Sequence, residues 1–425
     1  MSKILIKSAK VVNPDKVQIA DILIEDGFIT SVGANGVRPP QQDNLTIIDG
    51  TGLLAFPGFI DFHVHLQDQM GEFKVADTYE HGTEIALKNG ITTVCSFITQ
   101  KKGMSLKETV EETVSTYLPV VHTDMHWHLT PTTFSESDFI EIEELIDKGY
   151  HTFKFYTTYR DKGLFAEYST IEAFANRFKD KDITIMVHCQ DDDILRQGKF
   201  NTVSEIDSSY SQSSELEAVR RIKEIAEKTK VHFHIVHTSN SASIAPSDYL
   251  TYETAPQYLF LEESIYKCIT GYKYLCSPYF GTQENRLSLI DNVKSGNINL
   301  IATDHCPFSN SDKSKHLPEL SKIPNGLCGL DYFIPLIFKA INPQTDQDYS
   351  HICRLLSTAS AKLIGQSHLK GRIEKSYQAD VVLIDPTKGC PLVARNDLFN
   401  PYDGIESDIQ VVTVIRKGVL IDSLL

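Results

Sequence analysis

Three His-x-His pairs stand out in the chain: His63/His65 in FPGFIDFHVHL, His126/His128 in TDMHWHLT and His232/His234 in VHFHIVHTS. Each falls in an apolar, β-rich run. Residues i and i+2 of a strand point to the same side, so each pair can turn two imidazoles towards one surface. Two neutral imidazoles suit a divalent transition metal. A pair taken singly is also what hydrogen-bonded strand histidines look like, and spacing alone does not choose among the three. Other polar residues close other apolar runs: His188 ends ITIMVHC, His237 ends HFHIVHTS and Asp304 ends NLIATDH. Asp304 could equally cap a helix or pair with a cation. Four histidines and an aspartate, all at strand ends, are nevertheless an odd coincidence for structural residues.

Lys154 lies inside HTFKFYTTY, a strongly β-forming run. An ammonium has no lone pair and cannot ligate a metal. Once deprotonated, a lysine can add carbon dioxide to give a carbamate, an anionic ligand with two oxygens that can bridge two metal ions. The plainer reading is a lysine paired with an acid or snorkelling to solvent, and from the residue alone the plainer reading is favoured.

The elements that must position these groups alternate. Strands are expected at 56–66, 90–98, 123–130, 151–159, 183–189, 231–239 and 297–305, with another near 249–253. Helical patterns fall between them, including 137–149 and 213–229, the second with apolar residues at 216, 219, 222, 225 and 226. Seven or eight β-then-α units over about 310 residues indicate a (β/α)8 TIM-type barrel, whose active site forms at the C-terminal ends of the strands. An open doubly wound sheet is the alternative that periodicity leaves standing. The first 55 residues read as short strands, with 20–27 and 29–33 forming a hairpin about Asp26-Gly27. The tail repeats that style in 371–386 and 409–422, with a turn at Arg416-Lys417-Gly418. The expected organisation is a small, discontinuous β-sandwich domain from residues 1–55 and 370–425, with the catalytic barrel of residues 56–369 inserted between its halves.

Composition narrows the function classes. The 425 residues carry 41 Lys+Arg against 56 Asp+Glu, a formal charge of −15. That field disfavours sequence-independent nucleic-acid binding and adsorption to anionic membranes. Stretches long and apolar enough to span a membrane are lacking, and the N-terminus alternates polar and apolar residues instead of forming a signal-peptide core. Eight dispersed cysteines without a CxxC pair read as reduced thiols in a cytoplasmic protein.

From PGFIDFHVHL through ATDHCPF (302–308) to GRIEKSYQADVVLID, the sequence resembles the amidohydrolase superfamily, and within it the cyclic amidases. The resemblance covers essentially the whole chain. It implies two divalent metals, usually zinc, held by His63, His65, N6-carboxylated Lys154, His188, His237 and Asp304, and it selects the first His-x-His pair. Dihydroorotases continue that pair as HxHxR and supply an asparagine after the second strand. Here Gln67 and Gln100 stand in those regions, and glutamine is a weak partner for a substrate carboxylate. The resemblance is nearer to dihydropyrimidinases and hydantoinases, on SFITQKKG (96–103), TDHCPF (303–308) and Ile323-Pro324-Asn325-Gly326. It implies that Tyr159, five residues beyond the lysine, polarises the ring carbonyl, and that the backbone at Ser277 and Asn325 holds the ring amide. Asp304 would accept the proton of the attacking water and return it to the leaving nitrogen. Two segments depart from the family pattern: Ser277-Pro278-Tyr279-Phe280-Gly281 replaces SPPLR, and Gln257 replaces the histidine of ExTPHxL.

The expected activity is hydrolysis of the ring amide of a dihydropyrimidine or hydantoin, by a homo-oligomer (tetramer or dimer). Dihydroorotase- or allantoinase-type chemistry is the enzymatic alternative. A non-catalytic, dihydropyrimidinase-related structural protein is the other, set back by the presence of all six ligand positions.

Overall fold

The computed structural model describes residues 3–33, 45–198, 200–389, 391–393, 395 and 397–421. Position 422, at the end of the last expected strand, lies outside them. Five strands open the chain: β1 (Lys3–Val12), β2 (Val17–Glu25), β3 (Phe28–Gly33), β4 (Leu45–Asp49) and β5 (Leu54–Pro57). The β2–β3 hairpin turns at Asp26-Gly27, whose φ values of 53° and 84° are those of a two-residue type I′ turn. The barrel begins with β6 (Phe59–Val64), and a small ribbon follows, β7 (Gln69–Met70) against β8 (Phe73–Lys74). The remaining barrel strands are β9 (Ile91–Thr99), β10 (Asp124–Thr130), β11 (Thr152–Tyr156), β12 (Thr184–His188), β13 (His232–Ile235), β14 (Leu250–Thr254) and β15 (Leu300–Ile301).

These eight strands form one parallel sheet in chain order. It closes where Val64 bridges His305 and the His65 amide donates to the His305 carbonyl at 2.8 Å. The barrel is therefore the architecture, and the open doubly wound sheet is not. Helices connect the strands and cover the outside: α1 (Tyr79–Lys88), α2 (Leu106–Tyr117), α3 (Glu136–Asp147), α4 (Tyr168–Phe178), α5 (Asp192–Leu195), α6 (Ser208–Thr229), α7 (Pro256–Phe260), α8 (Gln283–Ser295), α9 (Asn310–Ser314) and α10 (Phe333–Ile341). Helix α6 starts five residues before the apolar periodicity does. Its first turn is capped by Asp207, whose carboxylate accepts the Ser209 amide, so serines hold a turn that carries no hydrophobic signal.

The tail adds β16 (Val381–Asp385), β17 (Gln410–Arg416) and β18 (Val419–Leu420) to the N-terminal strands. The order is β18-β17-β16-β5-β1-β2-β3, with β4 beside β1. β1 runs parallel to β4 and β5, while the other pairs are antiparallel. One sheet curls over its own core, in which Ile4, Ile6, Val11, Ile22 and Ile24 meet Val381, Leu383 and Ile415. The curl is fastened where the Ala379 amide donates to Gly27 and the Gly418 amide to Ala379. Within 371–386 only Val381–Asp385 is strand; the residues before it supply these fasteners. Asp124, at the start of β10, locks sheet to barrel: its carboxylate is ion-paired with Lys370, Arg416 and Lys417.

Candidate metal centre

The polar groups singled out by the sequence come together at the C-terminal ends of the barrel strands. His63 is the penultimate residue of β6 and is buried, and His65 follows just outside the strand. The pairing of β6 with β9 shifts register between Asp61 and Val64, which interrupts strict alternation where His63 sits. The two rings lie 5.3 Å apart, centroid to centroid. Asp304 lies beyond β15 in left-handed backbone (φ 49°), and its Oδ1 approaches Nε2 of His63 at 3.4 Å and of His65 at 3.5 Å. One ligand atom from each of the three lies within 4.8 Å of the others.

A second pair adjoins the first. His188 ends β12, and its Nδ1 stands 2.8 Å from Nε2 of His237, which sits past β13 with φ 36°. The His63 and His237 rings are 5.3 Å apart. Lys154, on β11, is buried, with Nζ about equally far from the rings of Phe97 (5.2 Å) and Tyr156 (5.1 Å). Its charge lowers the proton affinity of His63, His188 and His237, so it is within electrostatic reach of both groups.

Burial is the first cause of the titration behaviour here. It pushes Lys154 down to about 8 and His188 down to about 3, and it holds His63 and His237 low as well. Neutral imidazoles with free lone pairs follow. His65 is the exception: burial opposes its charge, but the carboxylates of Asp304 and Asp68 carry it up to about 9. A divalent cation between these groups would take the place of that proton.

The residues fit such ions on two grounds. The Gln190 side-chain oxygen accepts from His188 Nε2 at 2.9 Å, which leaves the Nδ1 lone pair pointing at His237, whose own Nδ1 is buried and unpartnered. Behind the first pair stand carboxylates of the kind that orient ligating imidazoles. Glu253 Oε1 lies 2.7 Å from His63 Nδ1, and Asp68 Oδ2 lies 2.8 Å from His65 Nδ1.

The other two His-x-His pairs are spent on the barrel's own hydrogen bonds. His126 and His128 both reach the Thr152 hydroxyl, at 3.0 and 2.7 Å, and His128 also meets the Phe62 carbonyl. His232 and His234 both reach Thr251, and His234 also meets Glu253.

Tyr159 lies three residues past the end of β11 in left-handed backbone (φ 69°), with its ring 5.2 Å from His188. Burial raises its phenol, while a hydrogen bond with the Ser277 side chain opposes the rise. Ser277 also donates to Gln190 Oε1 at 2.9 Å. Asn325 is half-buried beside Gly326, whose amide donates to the Leu275 carbonyl two residues before Ser277. Gln67 donates to the Tyr117 hydroxyl. Gln100 is consumed by Met104, Thr132 and Thr133, so its amide anchors a loop.

Residue type alone does not single out Glu253, Asp68 or Gln190. Each follows a recoverable pattern: an acid at the polar end of β14, an acid three residues after His65, and an amide two residues after His188. Asp61 is a fourth such group. Its carboxylate, raised to about 7 by burial, accepts from the Thr303 hydroxyl and amide and joins the His63 strand to the Asp304 loop.

The chain belongs to the amidohydrolase family, whose profile matches residues 54–421. It is 26% identical to the rat dihydropyrimidinase-related protein 5 over 99% of this chain and 78% of that protein. It is 27% identical to the D-hydantoinase of Geobacillus stearothermophilus over 97% of this chain and 92% of that enzyme. The crystal structure of the dihydropyrimidinase from Brevibacillus agri superposes with a TM-score of 0.89 at 25% identity, covering 99% of this chain and 95% of that one. Among the described residues no helix is long and apolar enough to cross a membrane.

Proposed function

We propose that this protein is a binuclear metal-dependent cyclic amidohydrolase that opens the ring amide of a dihydropyrimidine or hydantoin. The observation that carries the reading is the convergence of six groups at one barrel mouth: His63, His65, Lys154, His188, His237 and Asp304. Two divalent ions, in our reading zinc, would be held by these groups, with Lys154 carboxylated by carbon dioxide. A lysine brought down to about 8 presents free amine near neutral pH, and it is the amine that adds carbon dioxide. When bound, such ions polarise a carbonyl and bring the pKa of a water from about 15.7 to about 7.

The chain's own groups supply the rest. Asp304 takes the proton of the attacking water and hands it to the ring nitrogen as the C–N bond breaks. Tyr159, kept protonated by burial, donates to the carbonyl oxygen as negative charge grows there. Backbone groups at Ser277 and Asn325 hold the ring amide in register.

Gln67 and Gln100, both engaged within the protein, leave no guanidinium for a substrate carboxylate in those regions and count against dihydroorotate. A homo-oligomer, dimer or tetramer, is part of the proposal. So is a cytoplasmic location, supported by seven described cysteines that are all unpaired. We divide the chain into a terminal β unit (1–55 and 370–425) and a barrel (56–369). The strand β5 supports a boundary nearer Gly58, because it pairs with β1 and β16.

The test is a panel of dihydrouracil, hydantoin, dihydroorotate and allantoin with zinc-reconstituted protein. Opening of the first two is expected. Opening of dihydroorotate alone would overturn the substrate assignment, and metal-free, inert protein would favour a non-catalytic role.

A further inference from the structure

Lys313, on α9, is 1% exposed, yet its ammonium meets no carboxylate among the described residues. Nζ donates instead to two backbone carbonyls, Leu275 at 2.9 Å and Pro324 at 2.8 Å. Burial without a counter-charge pushes its pKa down to about 8, and the groups that raise it are the thiols of Cys276, Cys306 and Cys328. Burying an ammonium of this kind costs stability, and the two carbonyls it satisfies offset only part of that cost. Its value therefore has to be sought in what it connects.

The two carbonyls belong to two different loops at the barrel mouth. Leu275 precedes Ser277 by two residues, in the loop after β14. Pro324 precedes Asn325, in the loop after β15. The Leu275 carbonyl also accepts the Gly326 amide at 2.9 Å. Both neighbours of Asn325 are thus tied to one anchor, Pro324 through Lys313 and Gly326 directly. Cys306 leaves no room for a side chain at Gly326: with φ 146°, a Cβ there would lie 2.3 Å from the Cys306 carbonyl oxygen. A second lysine, Lys273, joins the same two loops from outside through the Asn310 side chain at 2.8 Å.

We propose that Lys313 is a positioning residue for substrate, a clamp that sets the distance and tilt between the backbone at Ser277 and the backbone at Asn325. The inference rests on the cyclic amidase reading, since it is the ring amide that those two segments would grip. Lys313 touches neither the reacting atoms nor the metal ligands. Its loss should loosen substrate binding and leave the chemical step nearly intact.

The experiment compares zinc-loaded wild type with Lys313→Met and Lys313→Gln on whichever cyclic amide the wild type opens. Zinc content and thermal midpoint are measured alongside. The expected result is a KM raised about tenfold in Lys313→Met with kcat within about threefold, the split that marks lost ground-state binding. Lys313→Gln, which keeps two N–H donors, should fall between. Zinc content should stay at the wild-type level, and the midpoint should fall only modestly, because Lys313→Met leaves the Pro324 carbonyl without this donor. An unchanged KM in folded, zinc-loaded Lys313→Met would overturn the proposal, as would a fall in kcat at constant KM. Failure of both variants to fold would also overturn it, by making the lysine a folding requirement. A wild type that opens no ring amide is a different outcome, since it strikes the cyclic amidase reading itself.

Discussion

Glu253 Oε1 lies 2.7 Å from Nδ1 of His63 and also accepts the backbone amide of His237 at 3.0 Å, so one buried carboxylate steadies a member of each histidine group. Its other oxygen meets His234, and His63 and His234 together hold the carboxyl well below the usual range despite burial. Glu253→Gln keeps the shape and removes the charge. Metal affinity should fall on the order of 10–100-fold, read by competition with a chelator. Unchanged affinity would show that His63 is oriented by packing alone.

Lys154→Ala removes the buried amine on which the proposed carbamate would form. Metal stoichiometry should drop and ring opening should be lost. A variant that keeps its full complement of zinc would exclude the bridging role.

Tyr159→Phe deletes one hydroxyl and leaves the ring against His188. Metal content should be retained. Turnover should fall by roughly 10²–10³, equivalent to about 2.7–4 kcal/mol of transition-state stabilisation. Equal turnover in single-substrate kinetics would reassign the oxyanion contact.

Asp124 joins sheet to barrel. Although burial opposes its ionisation, Lys370 and Lys417 hold its pKa well below the ordinary 3.8. The folded state therefore binds its proton less readily than the unfolded chain does. Its stabilisation is fully present above about pH 4 and fades as pH falls through the depressed folded value. Asp124→Asn should cost on the order of 2–3 kcal/mol at neutral pH, less than for a fully buried pair because the network is partly solvated. It should also flatten the acid limb of the stability curve, measured by urea denaturation at several pH values. A wild-type-like acid limb would place the linkage elsewhere.

The barrel was legible because its strands are apolar runs that end in polar residues, and this pattern survives without knowledge of neighbours. Lengths were less so. The expected strand 151–159 stops at Tyr156, because Tyr159 turns into left-handed backbone to face His188. β15 shrinks to Leu300–Ile301 because the chain leaves the ladder to bring Asp304 back over the mouth. Which His-x-His pair faces the mouth was not decidable from spacing. It depends on Thr152 and Thr251, which sit across the strand gap from the other two pairs and absorb their ring nitrogens. Glu253 and Gln190 were hidden for the same reason, since their importance lies in a partner far away in sequence.

The pairing of β5 with β16 has a consequence for synthesis on the ribosome. Strands β1 to β5 emerge early, with an apolar face whose covering strands are made only after the whole barrel has been translated. Contacts so distant in sequence form slowly. In the interval that face is exposed to whatever it meets first, so a chaperone that holds the nascent chain should raise the yield of active protein.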